Sequence, residues 1–199
     1  MPSNGWQTLG TGSLLGYLRA DLKKAKDLVW LIGPWIDAWF AEALVAALPG
    51  AVHLRVVTRP PSGANSRFGE HATAARSYFT QRANTEVRLL TNLHAKLVVV
   101  GTAHVYCGSA NWYRYSLEES QELVLRGPAS EASGLFDELQ VIWDKASATA
   151  TAEAASTPPA HKDAMAEGYQ EEVIDPIAAA KLREVPGSFV LSRPPRRGR

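Results

Sequence analysis

The stretch NLHAKLVVVGTAHVYCGSAN, residues 92–111, decides the fold. It contains two short apolar runs joined by a turn, a pattern that predicts two neighbouring strands. Side chains alternate between the faces of a strand, so His94 and Lys96 share one face, and Ser109 and Asn111 likewise share one face. An imidazole, a cation, a hydroxyl and an amide are therefore expected to converge at adjacent strand ends. These groups together predict a phosphate-binding site.

Working outward from this stretch, apolar runs and helical periodicity predict alternating strands and helices. Strands are expected over residues 28–32, 53–59, 86–90 and 121–125. Helices are expected after Ser13 and after Asp37, each as N-cap, and over about residues 70–83 and 130–145. Strands alternating with helices, followed by a cluster of strands, predict an α/β sandwich with a mixed sheet.

Composition sets the outer limits of the interpretation. A chain of 199 residues holds one packed domain with appendages, and a net charge of +1 selects no class of partner. The single cysteine excludes an internal disulfide, and neither a leader peptide nor a membrane-spanning run is apparent, so we expect a cytoplasmic protein. The predicted domain covers residues 1–147. An Ala/Thr/Ser/Pro linker follows over 148–160, then a tail over 161–199 with a possible short helix and an Arg-rich end.

The order HxK at residues 94–96, GSxN at 108–111, and then Glu122 resembles the phospholipase D (PLD) superfamily. That family's signature is HxKxxxxD, six further residues and GSxN, and the spacing here matches throughout. The resemblance extends over roughly residues 13–145 and implies a PLD-like α-β-α sandwich, with a central mixed sheet flanked by helices. One departure is Gly101, which stands where the family has aspartate, a residue taken to support the site.

The resemblance also implies a mechanism. His94 would attack phosphorus to form a phosphohistidine, and Glu122 would accept a hydrogen bond from the other ring nitrogen. Lys96 and Asn111 would hold the non-bridging oxygens as charge develops, and Ser109 would support the phosphate or the histidine. We expect no metal and no other cofactor, because the sequence shows no tight cluster of metal ligands.

This mechanism needs a second histidine to protonate the leaving oxygen, and longer family members supply it from a second motif. This sequence holds one motif. We therefore expect a homodimer joined through the active-site face, with two copies of His94 across a two-fold axis, as in small one-motif nucleases of the family.

Residues near the motif offer further candidates for substrate binding. They are Arg59, Arg67, Trp112 and Arg114, of which the tryptophan would stack on a base and the arginines would contact phosphates. Core packing of the aromatic ring and solvation of the arginines are the structural alternatives. Glu118 and Glu119 lie close enough to Glu122 to compete for its assignment, and Ser109 could simply serve a turn.

Three functions fit the sequence. The first is a metal-independent nuclease that cleaves DNA, or RNA, at a site shared by two subunits, in a bacterial defence or restriction setting suggested by resemblance. The second is an inactive or weakly active PLD-like module for nucleic-acid binding or dimerisation, made plausible by Gly101. The third is a phospholipid phosphodiesterase, disfavoured by the single motif and the lack of membrane features. The tail is expected to contact nucleic acid or to dock a protein partner.

Overall fold

The structure is a computed structural model that describes residues 5–61 and 67–147, without the side chains of residues 67–69. At its centre is a seven-stranded sheet in the order β1-β7-β6-β5-β2-β3-β4. Strands β2, β3 and β4 pair in parallel and the other neighbours pair antiparallel, so the predicted mixed sheet is confirmed. The strands are β1 (Gln7–Gly10), β2 (Leu28–Ile32), β3 (His53–Thr58), β4 (Thr85–Leu89), β5 (Leu97–Val100), β6 (His104–Gly108) and β7 (Leu123–Gly127).

Helices cover both faces of the sheet, as the sequence predicted for a sandwich. The helices are α1 (Thr11–Leu22), α2 (Ala38–Ala47), α3 (Arg67–Gln81), α4 (Arg114–Glu118) and α5 (Leu135–Lys145), with a 3₁₀ turn at Ala129–Glu131. One core lies between the sheet and α1, α2 and α3, and it contains Leu14, Phe40 and Phe79. A second core lies between the other face and α5, and it contains Trp30 and Trp143. None of the described helices is long and apolar enough to cross a bilayer.

Several predicted boundaries were correct and others were wrong. Asp37 caps α2 as expected, because its carboxylate accepts a hydrogen bond from the Phe40 amide at 2.8 Å. Ser13 is not a cap: the N-cap of α1 is Gly10, three residues earlier, and the Ser13 hydroxyl donates to the Gly10 carbonyl at 3.2 Å. The predicted helix over 130–145 is divided, since Gly134 at φ +75 separates the 3₁₀ turn from α5.

Two elements were absent from the sequence prediction. Strand β1 has the sequence QTLG, which is too short to show a period, and it forms through its antiparallel pairing with β7. Helix α4 has five residues and no apolar stripe of its own. The last predicted strand, residues 121–125, is observed two residues later as β7. The predicted linker and tail, residues 148–199, lie outside the described residues.

Candidate active site

The strand register brings the candidate residues to one edge of the sheet. Ile32, at the end of β2, pairs with Val57 near the end of β3 and with Leu97 at the start of β5. Gly108, at the end of β6, pairs with Val124 near the start of β7. The HxK segment precedes β5, the GSxN segment ends β6, and Glu122 precedes β7. All three therefore lie on the side of the sheet where β2 and β6 end and β5 and β7 begin, and we call this side the site edge.

The HxK segment lies just before β5, outside the regular sheet. His94 is exposed and Lys96 is half-buried, and the strand itself begins only at Leu97. The buried side chain of Leu93 anchors the segment in the core beneath α5. The Lys96 ammonium donates to the His94 carbonyl at 3.2 Å, which fixes the backbone between the two functional groups.

Arg59 holds the other side of the same segment. Its Nε donates to the Leu93 carbonyl at 2.6 Å, and its guanidinium lies 5.5 Å from the centre of the Trp35 ring. Arg59 was predicted to line the substrate groove. The structure places it against the peptide that precedes His94, where a charge-assisted hydrogen bond restrains the position of the imidazole.

A hydroxyl–carboxylate network joins the GSxN segment to Glu122. Ser109 donates to one Glu122 oxygen at 2.5 Å and accepts a hydrogen bond from the Leu123 amide at 3.2 Å. Ser116, in α4, donates to the other Glu122 oxygen at 2.6 Å and accepts from the Asn111 amide at 2.9 Å. Glu122 thus links both motif residues through two serines. Because Ser109 contributes to this network, it does more than form a turn.

Two members of this network were missed from the sequence. Ser116 is completely buried, and Thr11, at the start of α1, accepts from the Glu122 amide at 3.2 Å and donates to the Ser120 carbonyl at 2.5 Å. Serine and threonine are common in helix first turns and in loops, so residue type alone gives no signal. The spacing of five residues between Asn111 and Ser116 is the one clue that the sequence offers.

The predicted hydrogen bond between Glu122 and His94 is absent. Within the described part of the chain, the His94 imidazole makes no side-chain hydrogen bond, and the Glu122 carboxylate accepts from Ser109 and Ser116. The reason is geometric: Glu122 precedes β7, next to the end of β6, whereas His94 precedes β5, one strand farther on. In this structure Glu122 organises the GSxN segment.

Asn111 carries an unsatisfied acceptor. Its Oδ1 atom is buried and has no hydrogen-bond partner in the structure as described. Buried amide oxygens almost always have a donor. Only a hydrogen-bond donor can satisfy this oxygen, so the part of Asn111 that can donate to a phosphate is its side-chain NH₂ group rather than Oδ1.

Trp112 was predicted to stack on a base, and that prediction is wrong. Its side chain is 1% exposed, stacks on Phe40 at 5.3 Å between ring centres, and donates its indole N–H to the Ile32 carbonyl at 2.8 Å. Gly33 makes room for this ring, because a Cβ atom there would overlap the indole. Trp112 is a core residue that ties the GSxN segment to the end of β2.

The remaining arginine predictions differ in outcome. Arg114 is exposed on α4, and its Nε donates to Glu118 at 2.8 Å, a contact that raises the pKa of the arginine. Glu118 therefore pairs with Arg114, and it is Glu122 that accepts hydrogen bonds from the GSxN segment and α4. The side chain of Arg67, the first residue of α3, lies outside the described residues.

Gly101 lies at the opposite end of β5 from the HxK segment. It follows Val100 in the turn between β5 and β6, has φ +52, and no atom lies within 4 Å of the position of an added Cβ. The four residues of β5, at about 3.4 Å each, separate it from the site edge. The missing aspartate therefore removes no functional group from the candidate site.

A separate polar cluster lies at that opposite end. The buried carboxylate of Asp21 accepts hydrogen bonds from Tyr106 at 2.5 Å and from Arg126 at 2.8 Å, and lies 3.4 Å from the His104 ring. Partial burial lowers the pKa of His104, and the Asp21 charge opposes that shift. These contacts join α1 to β6 and β7, so His104 belongs to the scaffold rather than to the site edge.

The site edge thus combines a nucleophile with anion-binding groups. An exposed imidazole, a neighbouring ammonium group and an amide are the groups that a phosphodiester site needs for attack and charge stabilisation. Within the described residues, no group of three or more His, Cys, Asp or Glu side chains is placed to hold a metal ion.

The fold and this arrangement define a PLD-like α/β protein, and comparison with known families agrees. The family model described as "Cardiolipin synthase, PLD-like domain" matches residues 18–143. The chain therefore belongs to the phospholipase D superfamily.

Solved structures with the same fold include two small proteins. Nuc from Salmonella typhimurium, a phospholipase D family member, is 20% identical with a TM-score of 0.59, and the match covers 71% of this chain and 95% of Nuc. NucT from Helicobacter pylori is 16% identical with a TM-score of 0.59, covering 71% of this chain and 98% of its own. The archaeal chromatin protein TrmBL2 is 11% identical with a TM-score of 0.52, covering 75% of this chain and 56% of its own. No curated protein has a significantly similar sequence.

Proposed function

We propose that this protein is a nuclease that cleaves phosphodiester bonds in DNA through a phosphohistidine intermediate on His94. Membership of the superfamily supports phosphodiesterase chemistry. The observation that carries the proposal is the meeting of the HxK and GSxN segments at one edge, where the His94 imidazole is exposed and the Lys96 ammonium donates to the His94 carbonyl. DNA as substrate is supported by the likeness to TrmBL2, an archaeal chromatin protein described as binding DNA.

In the proposed first step, a neutral nitrogen of His94 attacks phosphorus. A P–N bond forms, the P–O bond to the leaving strand breaks, and the leaving oxygen takes a proton from a general acid. Lys96 and the Asn111 amide stabilise the charge on the non-bridging oxygens. Water then attacks phosphorus, the P–N bond breaks, and the proton of that water returns to the group that served as acid.

Glu122 has a positioning role in this mechanism. Its carboxylate holds Ser109 and Ser116, and Ser116 holds the backbone amide of Asn111. A negative charge here orders the GSxN segment before substrate arrives. Preorganised donors cost no reorganisation during the reaction, which is the main source of electrostatic catalysis.

The general acid is the least complete part of the site. The proposed acid is His94 of a second copy of the chain, in a homodimer that forms a shared site. Each copy then supplies one nucleophile and one acid, and the roles of the two histidines can exchange by symmetry.

Two other functions predict different results in one experiment. The TrmBL2 likeness favours a DNA-binding module without cleavage, and the name of the matching family model favours a lipid substrate. Purified protein is incubated with single-stranded DNA, duplex DNA, RNA and phosphatidylglycerol vesicles, with and without EDTA, beside His94→Ala and the remote control His53→Ala. The nuclease proposal expects EDTA-resistant DNA cleavage that His94→Ala abolishes and His53→Ala retains. Binding without cleavage, or turnover of lipid alone, would replace it.

A further inference from the structure

Trp35 is a large aromatic residue at the site edge that the proposed mechanism does not use. It follows the end of β2 by three residues, and its side chain is half-buried. It belongs to neither of the two cores that the described residues form. The other tryptophans have structural places: Trp30, Trp112 and Trp143 are buried, Trp39 packs against the first core, and Trp6 covers Gly127 at the opposite edge. Core packing therefore does not explain Trp35.

The backbone of Trp35 is fixed beside the GSxN segment. The Trp112 amide donates to the Trp35 carbonyl at 3.1 Å, and the Asp37 amide donates to the Trp112 carbonyl at 3.1 Å. Trp112 directly follows Asn111, the last residue of the motif, and Ile36, next to Trp35, is buried. The ring is thus carried by a well-held peptide, so that little conformational entropy is lost when a ligand packs against it.

The ring of Trp35 lies close to the HxK segment. The Arg59 guanidinium lies 5.5 Å from the centre of this ring, and its Nε donates to the Leu93 carbonyl at 2.6 Å. Leu93 directly precedes His94. Two contacts therefore connect the aromatic ring to the peptide that carries the nucleophile. Because a base is joined to its phosphate through a single sugar, a ring at this position can contact the nucleotide whose phosphate lies at His94.

We propose that Trp35 is a substrate-binding residue on which an unstacked nucleobase next to the scissile phosphate packs. The inference rests on the proposed function, which places that phosphate at His94. It narrows the substrate to nucleic acid with accessible base faces, such as a single strand. In a duplex each base is covered by its neighbours, so that stacking on a side chain requires the base to leave the helix first.

The chemistry of the ring and its arginine suits a nucleotide. Every base has a π face, so an aromatic ring binds single strands with little dependence on sequence. The positive charge of Arg59 attracts the phosphates on either side of such a base. The same charge repels the ammonium head group of a choline lipid, which would otherwise bind an aromatic face well. Trp35 and Arg59 together therefore favour a nucleic acid over such a lipid.

Binding measurements with and without bases test the inference. The probes are a fluorescein-labelled thymidine oligonucleotide, an oligonucleotide of the same length and charge with abasic tetrahydrofuran sugars throughout, and a duplex of that length. Fluorescence anisotropy gives the dissociation constant of each probe. All proteins carry His94→Ala, so that no probe is cleaved during the measurement.

Trp35→Ala is expected to weaken binding of the thymidine oligonucleotide about 5- to 150-fold, which corresponds to the loss of one stacked base. Binding of the abasic oligonucleotide and of the duplex should not change, because neither presents a base face to the ring. Trp35→Phe keeps an aromatic ring and should recover most of the lost affinity.

Trp6→Ala is the matched control. It removes a tryptophan that is 46% exposed at the opposite edge of the sheet, and it should change none of the three dissociation constants. Circular dichroism confirms that each variant is folded. Equal losses on the thymidine and abasic oligonucleotides would mean that Trp35 acts only by supporting the HxK segment, and would overturn the inference.

Other outcomes would also overturn it. Unchanged binding of the thymidine oligonucleotide by Trp35→Ala would exclude the stacking role. A loss confined to phosphatidylcholine vesicles, measured by co-sedimentation, would assign the ring to a membrane surface instead.

The outcomes separate this inference from the proposed function. Base-dependent affinity that Trp35→Ala removes, in a protein that cleaves no phosphodiester with His94 intact, would support the stacking and overturn the nuclease. DNA cleavage that requires His94 and that Trp35→Ala leaves unchanged in both kcat and KM would support the nuclease and overturn the stacking.

Discussion

Removal of the Ser116 hydroxyl is expected to weaken both the fold and the site. The side chain is completely buried, and its oxygen makes two hydrogen bonds, to Glu122 at 2.6 Å and from the Asn111 amide at 2.9 Å. In Ser116→Ala the partly buried Asn111 amide loses its acceptor at about 1–3 kcal/mol, and the Glu122 carboxylate loses a donor of similar value. We expect a combined loss of about 2–4 kcal/mol in the free energy of unfolding.

The same change should slow catalysis, because the freed carboxylate and amide no longer hold the GSxN segment. A loss of about 2 kcal/mol in transition-state stabilisation corresponds to roughly a 30-fold fall in kcat/KM. Stability is measured by urea unfolding and activity on a chromogenic phosphodiester, bis(p-nitrophenyl) phosphate. Ser13→Ala, which removes an exposed hydroxyl in α1, is the control and should change stability by less than about 0.5 kcal/mol.

A double-mutant cycle with Glu122→Ala tests the network directly. If Ser116 acts through Glu122, the two changes together should destabilise less than the sum of the single changes, by about 1 kcal/mol or more. Additivity within about 0.5 kcal/mol would refute the network, because independent sites add to that accuracy.

Three further predictions concern Gly101, Arg59 and Trp112. Gly101→Asp should retain the full phosphodiesterase rate, because the site is a strand length away, and should lose about 1 kcal/mol of stability, because φ at this position is +52. A gain of activity in bis(p-nitrophenyl) phosphate assays would contradict this. Arg59→Ala should lower kcat about 10- to 100-fold, because the peptide before His94 is no longer held. Arg82→Ala is the control: it loses two hydrogen bonds of 2.8 Å to backbone carbonyls far from the site, and it should lower only the melting temperature. Trp112→Phe should cost about 1–3 kcal/mol in urea unfolding by removing the buried indole donor to the Ile32 carbonyl, with DNA affinity in fluorescence anisotropy unchanged; a selective loss of affinity would restore the stacking role.

The layered fold could be predicted because its signals are local and strong. The run at residues 28–32 is apolar throughout, and it is the interior strand β2, buried by helices on both faces. Asp37 precedes an apolar helical pattern and caps it as expected. Strand β1 escaped prediction because its formation depends on β7, more than a hundred residues away, rather than on its own four residues.

The site was predicted in its parts but not in its connections. Motif spacing indicated that the HxK and GSxN segments meet, since one precedes β5 and the other follows its neighbour β6 at the same edge. It could not indicate that Trp112 turns into the core, because a tryptophan after a strand suits a wall or a core equally. The roles of Ser116 and Thr11 could not be predicted either, because a single hydroxyl gains its role only from the groups of Glu122 that the fold brings next to it.

The covalent chemistry of His94 is the central claim, and trapping the intermediate tests it most directly. Protein in EDTA is mixed with a short DNA substrate, stopped in alkali, where phosphohistidine persists, and digested for peptide mass mapping. A phosphoryl adduct is expected on the peptide that carries His94, and neither adduct nor cleavage in His94→Ala. Cleavage by His94→Ala at the wild-type rate, or an adduct on another residue, would contradict the proposal.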